Sequence, residues 1–224
     1  MTGSIDQSLP GTCPGFDSSM IRARNGHVWH RKQMRSGKVP RSGIDTDARW
    51  GFSATKGWQF GYKLHLSCGT GQLVVPLSAC VTAANVYDNQ MYKKLTGYLP
   101  DAVRYIVADA GYDDWKLYDY TRQRGARLVC PIRRYRHTKG DRLELIRFYR
   151  SRKGQRIHRT RSVSIEPLFQ CIKGAFGISS VPVIGFGNVS SYLLMCVFVY
   201  QVVVYYNCMV GNDKPRCIRH MLGN

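Results

Sequence analysis

Apolar and polar residues alternate with the period of a β-strand just after the first quarter of the chain. The apolar positions are Trp58, Phe60, Tyr62, Leu64 and Leu66. A period of two is typical of a strand that buries one face. A Cys-Gly-Thr-Gly turn at 68–71 then leads into an apolar run at 73–77. The pattern predicts a β-hairpin.

Helix and strand signals alternate over the following residues. The predicted elements are a helix from Asp88 to Gly97, a strand at 104–108, a helix from Asp113 or Asp114 to Arg124 with Gly125 as its C-cap, and a strand at 128–132. Asp109 directly follows the first of these strands, before the flexible Ala110 and Gly111. The alternation predicts an α/β fold built on a sheet.

A further helix is predicted by apolar residues at a helical period. They are Ile165, Leu168, Phe169, Ile172 and Phe176, which form one face of an amphipathic helix. Ser164 is suited to the N-cap, and proline is tolerated at position 167 in the first turn. Glu166, Gln170 and Lys173 share a different face from the apolar stripe.

The most apolar stretch, Tyr192 to Tyr206, contains Gln201 as its one polar side chain apart from the tyrosine hydroxyls. Its 15 residues are fewer than the ~20 that a membrane span needs. Ser190 or Ser191 is suited to cap its start, and Asn207 its end. We interpret the stretch as a buried core helix, although its β-branched residues also permit a buried strand.

The charge balance indicates a polyanionic partner. Among 224 residues, 33 Lys and Arg stand against 14 Asp and Glu, a net charge of +19. Hydrophobic residues make up 44% of the chain, enough for a folded core rather than a disordered tail. Two basic blocks, 20–63 and 122–161, carry the excess positive charge. We expect them to be basic insertions around the sheet, with loops and short extended pieces after 132.

The cysteine pattern indicates a reducing compartment. None of the eight cysteines forms a Cys-x-x-Cys motif, which argues against a zinc ribbon and a thioredoxin-like site. We expect reduced and mostly buried thiols. The N-terminus has neither the basic nor the apolar region of a secretory signal, so we expect a cytoplasmic, nucleoid-associated protein.

The few carboxylates provide candidates for metal ligands. Metal-dependent cleavage of nucleic acids commonly uses two divalent cations ~4 Å apart, which prefer carboxylate oxygens from rigid elements. Asp109 at a strand end and Glu166, one of two glutamates, suit this role. Asp17 precedes an extended segment and is the natural third ligand, with Asp45 and Asp47 as alternatives.

Six segments in order resemble the DDE transposases of bacterial insertion sequences. They are FDSSMIRARNGHVWHRK, IDTDARWG, GYKLHL, TAANVYDN, VADAGYDD and RSVSIEPLFQCIK. The resemblance covers residues 16 to 207 and implies a ribonuclease-H-like catalytic domain, a mixed sheet flanked by helices. It implies that Asp17, Asp109 and Glu166 are the catalytic carboxylates and bind two divalent ions, Mg²⁺ or Mn²⁺. The implied reaction is DNA cleavage at the element ends, followed by strand transfer into target DNA.

The same family usually shows Tyr-x2-Arg-x3-Glu-x6-Lys around the last carboxylate. Lys173 fits the lysine position, whereas Ser162 stands at the arginine position and Arg159 at the tyrosine position. Arg161, one residue away, is the candidate replacement for the arginine. The residues that we expect to contact DNA phosphates are Arg161, Lys173, Arg133, Arg134, Arg136 and Lys63.

Two features indicate a shortened transposase. Only 16 residues precede Asp17, whereas family members usually carry an N-terminal domain there, and Pro14 and Gly15 stand where apolar residues would open the first strand. We expect a short extension at 1–15, a catalytic domain at 16–207 and a tail at 208–224. The resemblance also implies a homodimer on DNA. The alternatives are an inactive remnant that only binds DNA and, less favoured, a membrane protein.

Overall fold

The computed structural model describes residues 13–24, 44–53, 56–70, 74–133 and 140–218. The strands in these ranges are β1 (Gly15–Arg22), β2 (Arg49–Ser53), β3 (Gly57–Cys68), β4 (Pro76–Ala83), β5 (Tyr105–Val107) and β6 (Arg127–Val129). The helices are α1 (Asp88–Thr96), α2 (Trp115–Gln123), α3 (Asp141–Arg150), α4 (Arg152–Val163), α5 (Ile165–Phe176) and α6 (Phe186–Met209). A 3-10 turn spans Ala110–Tyr112.

The strands form one mixed sheet with the order β2-β3-β1-β5-β6, in which β4 pairs with β3. β1 runs parallel to β5 with Gly15 opposite Val107, and β5 runs parallel to β6 with Tyr105 opposite Arg127. β2 and β3 are antiparallel. The predicted fold class, an α/β mixed sheet flanked by helices, is confirmed.

The chain divides into two compact units. Unit 1 comprises Met1–Asp17, Leu66–Ser78 and Tyr87–Leu168, and unit 2 comprises Ser18–His65, Ala79–Val86 and Phe169–Asn224. The finer division that the sequence predicts, with boundaries after residues 15 and 207, stays a prediction.

Unit 1 contains the strand and helix alternation that the sequence predicts. The side chain of Asp114 accepts a hydrogen bond from the Lys116 amide, which makes Asp114 the N-cap of α2. Gly125 follows this helix with a φ of 72°, a value that favours glycine. β6 begins at Arg127 rather than at position 128 and ends at Val129 rather than at 132.

The segment after residue 140 differs from the prediction. Helices α3 and α4 occupy it, so the expected loops and short extended pieces are wrong for 140–163. Each helix buries one aliphatic residue, Ile146 in α3 and Ile157 in α4, and the Ser151 hydroxyl between them caps α4 by accepting from the Gly154 amide. Arginine and lysine are good helix formers, and in α4 the apolar residues, Ile157 and Val163, are too few to predict a helix from their spacing.

Unit 2 contains a hairpin that the sequence did not predict. β2 pairs with the start of β3 from Arg49 opposite Gly61 to Ser53 opposite Gly57. Gly61 permits a close approach of the backbone, since a Cβ there would lie 2.1 Å from the Ile21 carbonyl oxygen. The predicted strand at 58–66 lies within β3, and the partner predicted at 73–77 is displaced to Pro76–Ala83.

Helix α6 in unit 2 is longer than predicted, with 24 residues rather than 15. One face is buried, with its members at helical spacing: Val189, Leu193, Cys196, Val197, Tyr200, Val204 and Asn207. The opposite face exposes apolar residues such as Met195, Phe198 and Tyr205, so the predicted core helix is buried on one face and not all round. By length and composition, α6 is the one helix among the described residues that would suffice to cross a membrane, a property it shares with core helices of soluble proteins.

All eight cysteines lie among the described residues and none forms a disulfide. Five are buried, as expected. Burial raises the pKa of Cys13, Cys68 and Cys130 to about 12, so these three thiols stay protonated and unreactive at neutral pH.

Candidate active site

Strand β1 positions Asp17. Because side chains alternate along a strand, Gly15 and Asp17 face one side and Phe16 the other. The Phe16 ring packs against Tyr92 and Tyr112, with centroids 5.2 and 6.5 Å apart. A Cβ at Gly15 would lie 3.5 Å from atoms of Ser164 and Ile165. Asp17 therefore lies on the face of β1 that meets the start of α5. Although Pro14 and Gly15 stand where apolar residues would open this strand, β1 has eight residues, and the Pro14 carbonyl accepts a hydrogen bond from the Val107 amide at 2.9 Å.

Asp109 follows β5, as predicted, and is half-buried. Its Oδ1 accepts a hydrogen bond from the Gly111 amide at 2.9 Å, which caps the 3-10 turn. The preceding residue, Ala108, is held in the sheet by its amide, which donates to the Val129 carbonyl at 3.2 Å. The end of a buried parallel strand and this cap together fix the carboxylate of Asp109.

Helix α4 packs on the sheet through Ile157, which clusters with Cys13, Val107 and Val129. His158 and Arg161 lie one turn apart on the same side of this helix. The packing of Ile157 therefore sets the position of both polar side chains.

Arg161 links two of the predicted carboxylates. Its NH2 group lies 2.7 Å from Asp17 Oδ2, and its NH1 group lies 2.7 Å from Glu166 Oε1. The side chains of Arg161 and Asp17 are 17% and 16% exposed, and that of Glu166 is 50% exposed. The buried Nε of Arg161 has no hydrogen-bond partner among the described residues. Asp17 and Glu166, far apart in sequence, thus face the same cation.

His158 on α4 contacts the residue that precedes Asp109. Its Nε2 lies 3.2 Å from the Ala108 carbonyl oxygen, so Nε2 carries the proton and donates. The ring packs edge-on against Tyr149 at 5.2 Å between centroids. Burial lowers the pKa of His158 and the charge of Arg161 adds to this, against the hydrogen bond to Ala108, which raises it. His158 is therefore neutral at physiological pH.

The chemistry of this donor set fits hard divalent cations, which bind carboxylate oxygens. Among the described residues, however, no group of three or more His, Cys, Asp and Glu side chains has the arrangement of a metal centre. The guanidinium of Arg161 is a cation that stands between Asp17 and Glu166. Two of the three carboxylates thus face a common cation position.

The other predicted site residues lie elsewhere. Lys63 is 8% exposed, and its ammonium donates to the Val86 carbonyl at 2.9 Å, so it is buried within unit 2 instead of lying on an exposed surface. Lys173 donates to the Met20 carbonyl at 3.0 Å. Burial, followed by the nearby charge of Lys56, lowers the pKa of Lys173 to about 8. Arg133 is exposed, whereas Arg134 and Arg136 lie outside the described residues.

The alternative carboxylates have a structural role in unit 2. Asp45 is fully buried, and its Oδ2 accepts from the Gly185 amide at 3.2 Å. Asp47 Oδ2 accepts from the Phe186 amide at 2.9 Å. Both bonds satisfy amides at the start of α6, where negative charge is favourable. Ser164 behaves differently from the prediction, because its hydroxyl donates back to the Thr160 carbonyl at 2.5 Å instead of capping α5.

The sequence did not reveal His158 as part of the site. Its signal is local: it lies three residues before Arg161, so the two side chains share one face of a helix. A spacing of three residues places two side chains on one face only in a helix, and the sequence predicts loops for this segment.

The domain is thus an α/β mixed sheet flanked by helices, in which Asp17 and Glu166 contact one arginine. The sequence profile described as transposase DDE domain matches residues 16–202. The chain therefore belongs to the DDE transposase domain family. Members of this family generally bind divalent metals and have nuclease and transesterification activity.

Comparison with other proteins gave two further results. No curated protein matches the chain. A solved structure, the cryo-EM structure of a piggyBac transposase synaptic complex with hairpin DNA, is similar with a TM-score of 0.35 and 17% sequence identity. The match covers 64% of this chain and 27% of that one, so the chain spans about a quarter of its length.

Proposed function

We propose that the chain is the catalytic domain of an insertion-sequence transposase. It hydrolyses a DNA phosphodiester at the ends of the element and directs the freed 3′-hydroxyl onto target DNA. The observation that supports this proposal most is the bridge of Arg161 between Asp17 and Glu166. Two acidic side chains from distant parts of a basic chain thus contact the same positive charge, and a metal ion would need the same arrangement of carboxylates.

Asp17, Asp109 and Glu166 would hold two divalent ions, Mg²⁺ or Mn²⁺, when these are bound. The ions supply an activated water and stabilise the leaving oxygen. The protein orients the carboxylates through β1, the end of β5 and the first turn of α5. In-line phosphoryl transfer of this kind depends on positioning and charge stabilisation, without a covalent protein intermediate. The planar guanidinium of Arg161 suits bidentate contact with a phosphate once it leaves the carboxylates.

The proposed partner is DNA, namely the terminal repeats of the element and the target. Helices α3 and α4 offer exposed cations for phosphate contacts: Arg147, Arg150, Arg152, Lys153, Arg156 and Arg159. Such contacts give affinity that falls with salt and carry little sequence information. A homodimer holding two element ends, and a location with the nucleoid in the cytoplasm, are part of this proposal.

The test is cleavage of DNA bearing the element ends, with Mn²⁺ and the full chain. Asp17→Asn, Asp109→Asn and Glu166→Gln should each lower the rate at least about 100-fold, because each removes a charged ligand. Asp101→Asn is the matched control, since Asp101 is fully exposed in the same unit. DNA binding with Ca²⁺ should survive in all four variants. Equal cleavage by the wild type and the three site variants would refute the proposal.

A second candidate is a remnant that binds DNA without cutting it. It is favoured by one observation: in the described part of the chain Arg161 already neutralises two carboxylates and no three-ligand group is formed. This candidate predicts salt-dependent DNA binding and no cleavage at any Mn²⁺ concentration. The same experiment therefore distinguishes the two.

A further inference from the structure

Unit 1 contains a cavity apart from the carboxylate site. A cavity of about 770 Å³ lies along α2 and α3, and its floor is formed by the first residues of β5 and β6. None of Asp17, Asp109, Arg161 and Glu166 lines it. Its volume falls in the range of ~300–1,000 Å³ that is typical of ligand sites.

The lining of this cavity is positively charged. Four cationic side chains, from Arg104, Arg122, Arg127 and Lys153, stand against Asp141 and Glu144. Arg104 and Arg127 belong to neighbouring strand starts, since the Arg127 amide donates to the Arg104 carbonyl at 3.0 Å. Arg122 is paired with Asp119 outside the lining, at 2.5 Å, which leaves Arg104, Arg127 and Lys153 as the cations that a ligand would meet. The cavity therefore favours an anionic ligand.

Aromatic rings form the rest of the lining. The Tyr105 and Phe148 rings are stacked, with centroids 6.2 Å apart and planes 8° apart. The Arg127 guanidinium lies 4.3 Å from the Phe148 centroid, and the Lys153 ammonium lies 5.4 Å from that of Tyr105. These cation–π contacts hold two positive groups at the wall.

Trp115 is the ring that remains accessible. It is 43% exposed, and it contacts Tyr118 edge-on at 6.2 Å between centroids, with planes 63° apart. An exposed indole beside cations is the combination that binds unpaired nucleotides, because the base stacks on the ring and the phosphate contacts the cations. A base within a duplex is already stacked on its neighbours and gains nothing from Trp115.

We propose that this cavity binds an unpaired nucleotide of a DNA strand, with the base on Trp115 and its phosphate at Arg127 and Lys153. The proposal rests on the proposed function, because it takes DNA to be the substrate. It gives the domain a place for single-stranded DNA that is distinct from the carboxylate site.

The test compares a short single strand with a duplex of the same sequence, using fluorescence anisotropy and the full chain. Trp115→Leu should weaken single-strand binding about 5- to 100-fold, as expected for one lost base stack, and duplex binding less than about twofold. Trp115→Phe keeps a stacking ring and should restore most of the affinity. Trp58→Leu is the matched control, since Trp58 is 52% exposed in unit 2 and should leave both affinities unchanged.

A second readout locates the base directly. An oligonucleotide containing 5-iododeoxyuridine should photocrosslink to Trp115, identified by mass spectrometry, and the crosslink should disappear in Trp115→Leu. Equal losses in Trp115→Leu and Trp58→Leu, or displacement of the oligonucleotide by a polyglutamate peptide of equal charge, would overturn the nucleotide assignment. Cleavage without this selective loss refutes only the cavity proposal, whereas failure to bind any DNA refutes the proposed function as well.

Discussion

The guanidinium of Arg161 lies 2.7 Å from the carboxylate of Asp17, although 144 positions separate the two residues in the chain. The contact joins the third residue of β1 to the last turn of α4. The same guanidinium contacts Glu166 on the next helix. Arg161 thus occupies a position between two proposed metal ligands, and a divalent ion that binds both must displace it.

Replacing this arginine should strengthen metal binding. In Arg161→Gln a positive charge beside two carboxylates is lost, so the affinity for Mn²⁺ should rise about tenfold; the solvent around the half-exposed Glu166 limits the gain. Electron paramagnetic resonance of free Mn²⁺ measures this without any cleavage. Arg159→Gln, an exposed arginine on the same helix, should have little effect. A weaker affinity in Arg161→Gln would mean that the arginine assembles the carboxylates instead of competing with metal.

The position of Arg161 also depends on a close contact between α3 and α4. A Cβ at Gly154 would lie 2.1 Å from the Phe148 carbonyl oxygen and 2.9 Å from that of Tyr149. Gly154→Ala should therefore destabilise the protein by about 1–3 kcal/mol, because backbone must move, and should lower cleavage as α4 shifts. Urea unfolding measures the first effect. Gly187→Ala is the control: a Cβ there meets open space, and alanine in a helix should stabilise by about 0.5–1 kcal/mol.

Each of the three proposed carboxylates has a local signal in the sequence. Asp109 ends a short apolar strand, Glu166 begins an amphipathic helix, and Asp17 belongs to a motif of the family. The role of Arg161 could not be predicted in the same way, since its bond to Asp17 exists only when β1 and α4 are packed together. Without those packed elements, the sequence indicates only that Arg161 stands one position from the family's arginine.

The errors in the fold have similar causes. Helix α4 has two apolar residues, Ile157 and Val163, and α3 has five, of which Ile146 alone is buried. A single buried aliphatic residue in each helix is a weak sequence signal. Strand β2 is short, and its pairing with β3 depends on contacts of Gly51 and Gly61 with distant backbone. In α6 the apolar residues surround the helix, so the sequence pattern did not distinguish the buried face from the exposed one.

Lys173 should make stability depend on alkaline pH. Its pKa is lowered from 10.5 to about 8 in the folded state, so burial of the charged form opposes folding below pH 8. Between pH 8 and 10.5 Lys173 is protonated in the unfolded chain and mostly neutral in the folded protein, so its contribution to stability rises with pH. Lys173→Met should therefore gain stability relative to wild type at pH 7 and lose that advantage toward pH 10.5. Thermal unfolding at several pH values measures the difference, with Lys94→Met, the substitution of an exposed lysine, as the control.

His158 should position Asp109 rather than take part in proton transfer. Its Nε2 donates to the Ala108 carbonyl next to Asp109, and a glutamine amide is able to make the same bond. His158→Gln should keep cleavage near the wild-type rate, whereas His158→Leu should lower it roughly tenfold or more by releasing the strand end. If the glutamine variant also loses cleavage, the imidazole itself is required.

The titration of His158 provides an independent check of this role. Burial lowers the pKa of His158 in the folded protein below its usual 6.5. At pH values between these two pKa values, His158 is protonated in the unfolded chain and neutral in the folded protein. Wild-type stability should therefore decrease as the pH falls below 6.5, and stop decreasing from this cause below the folded pKa. Glutamine does not titrate, so His158→Gln should lack this loss of stability at low pH. As the pH falls below 6.5, the unfolding free energy of the variant should therefore rise relative to that of the wild type. A difference that stays constant from pH 7.5 to 5 would show that His158 does not lose solvation on folding.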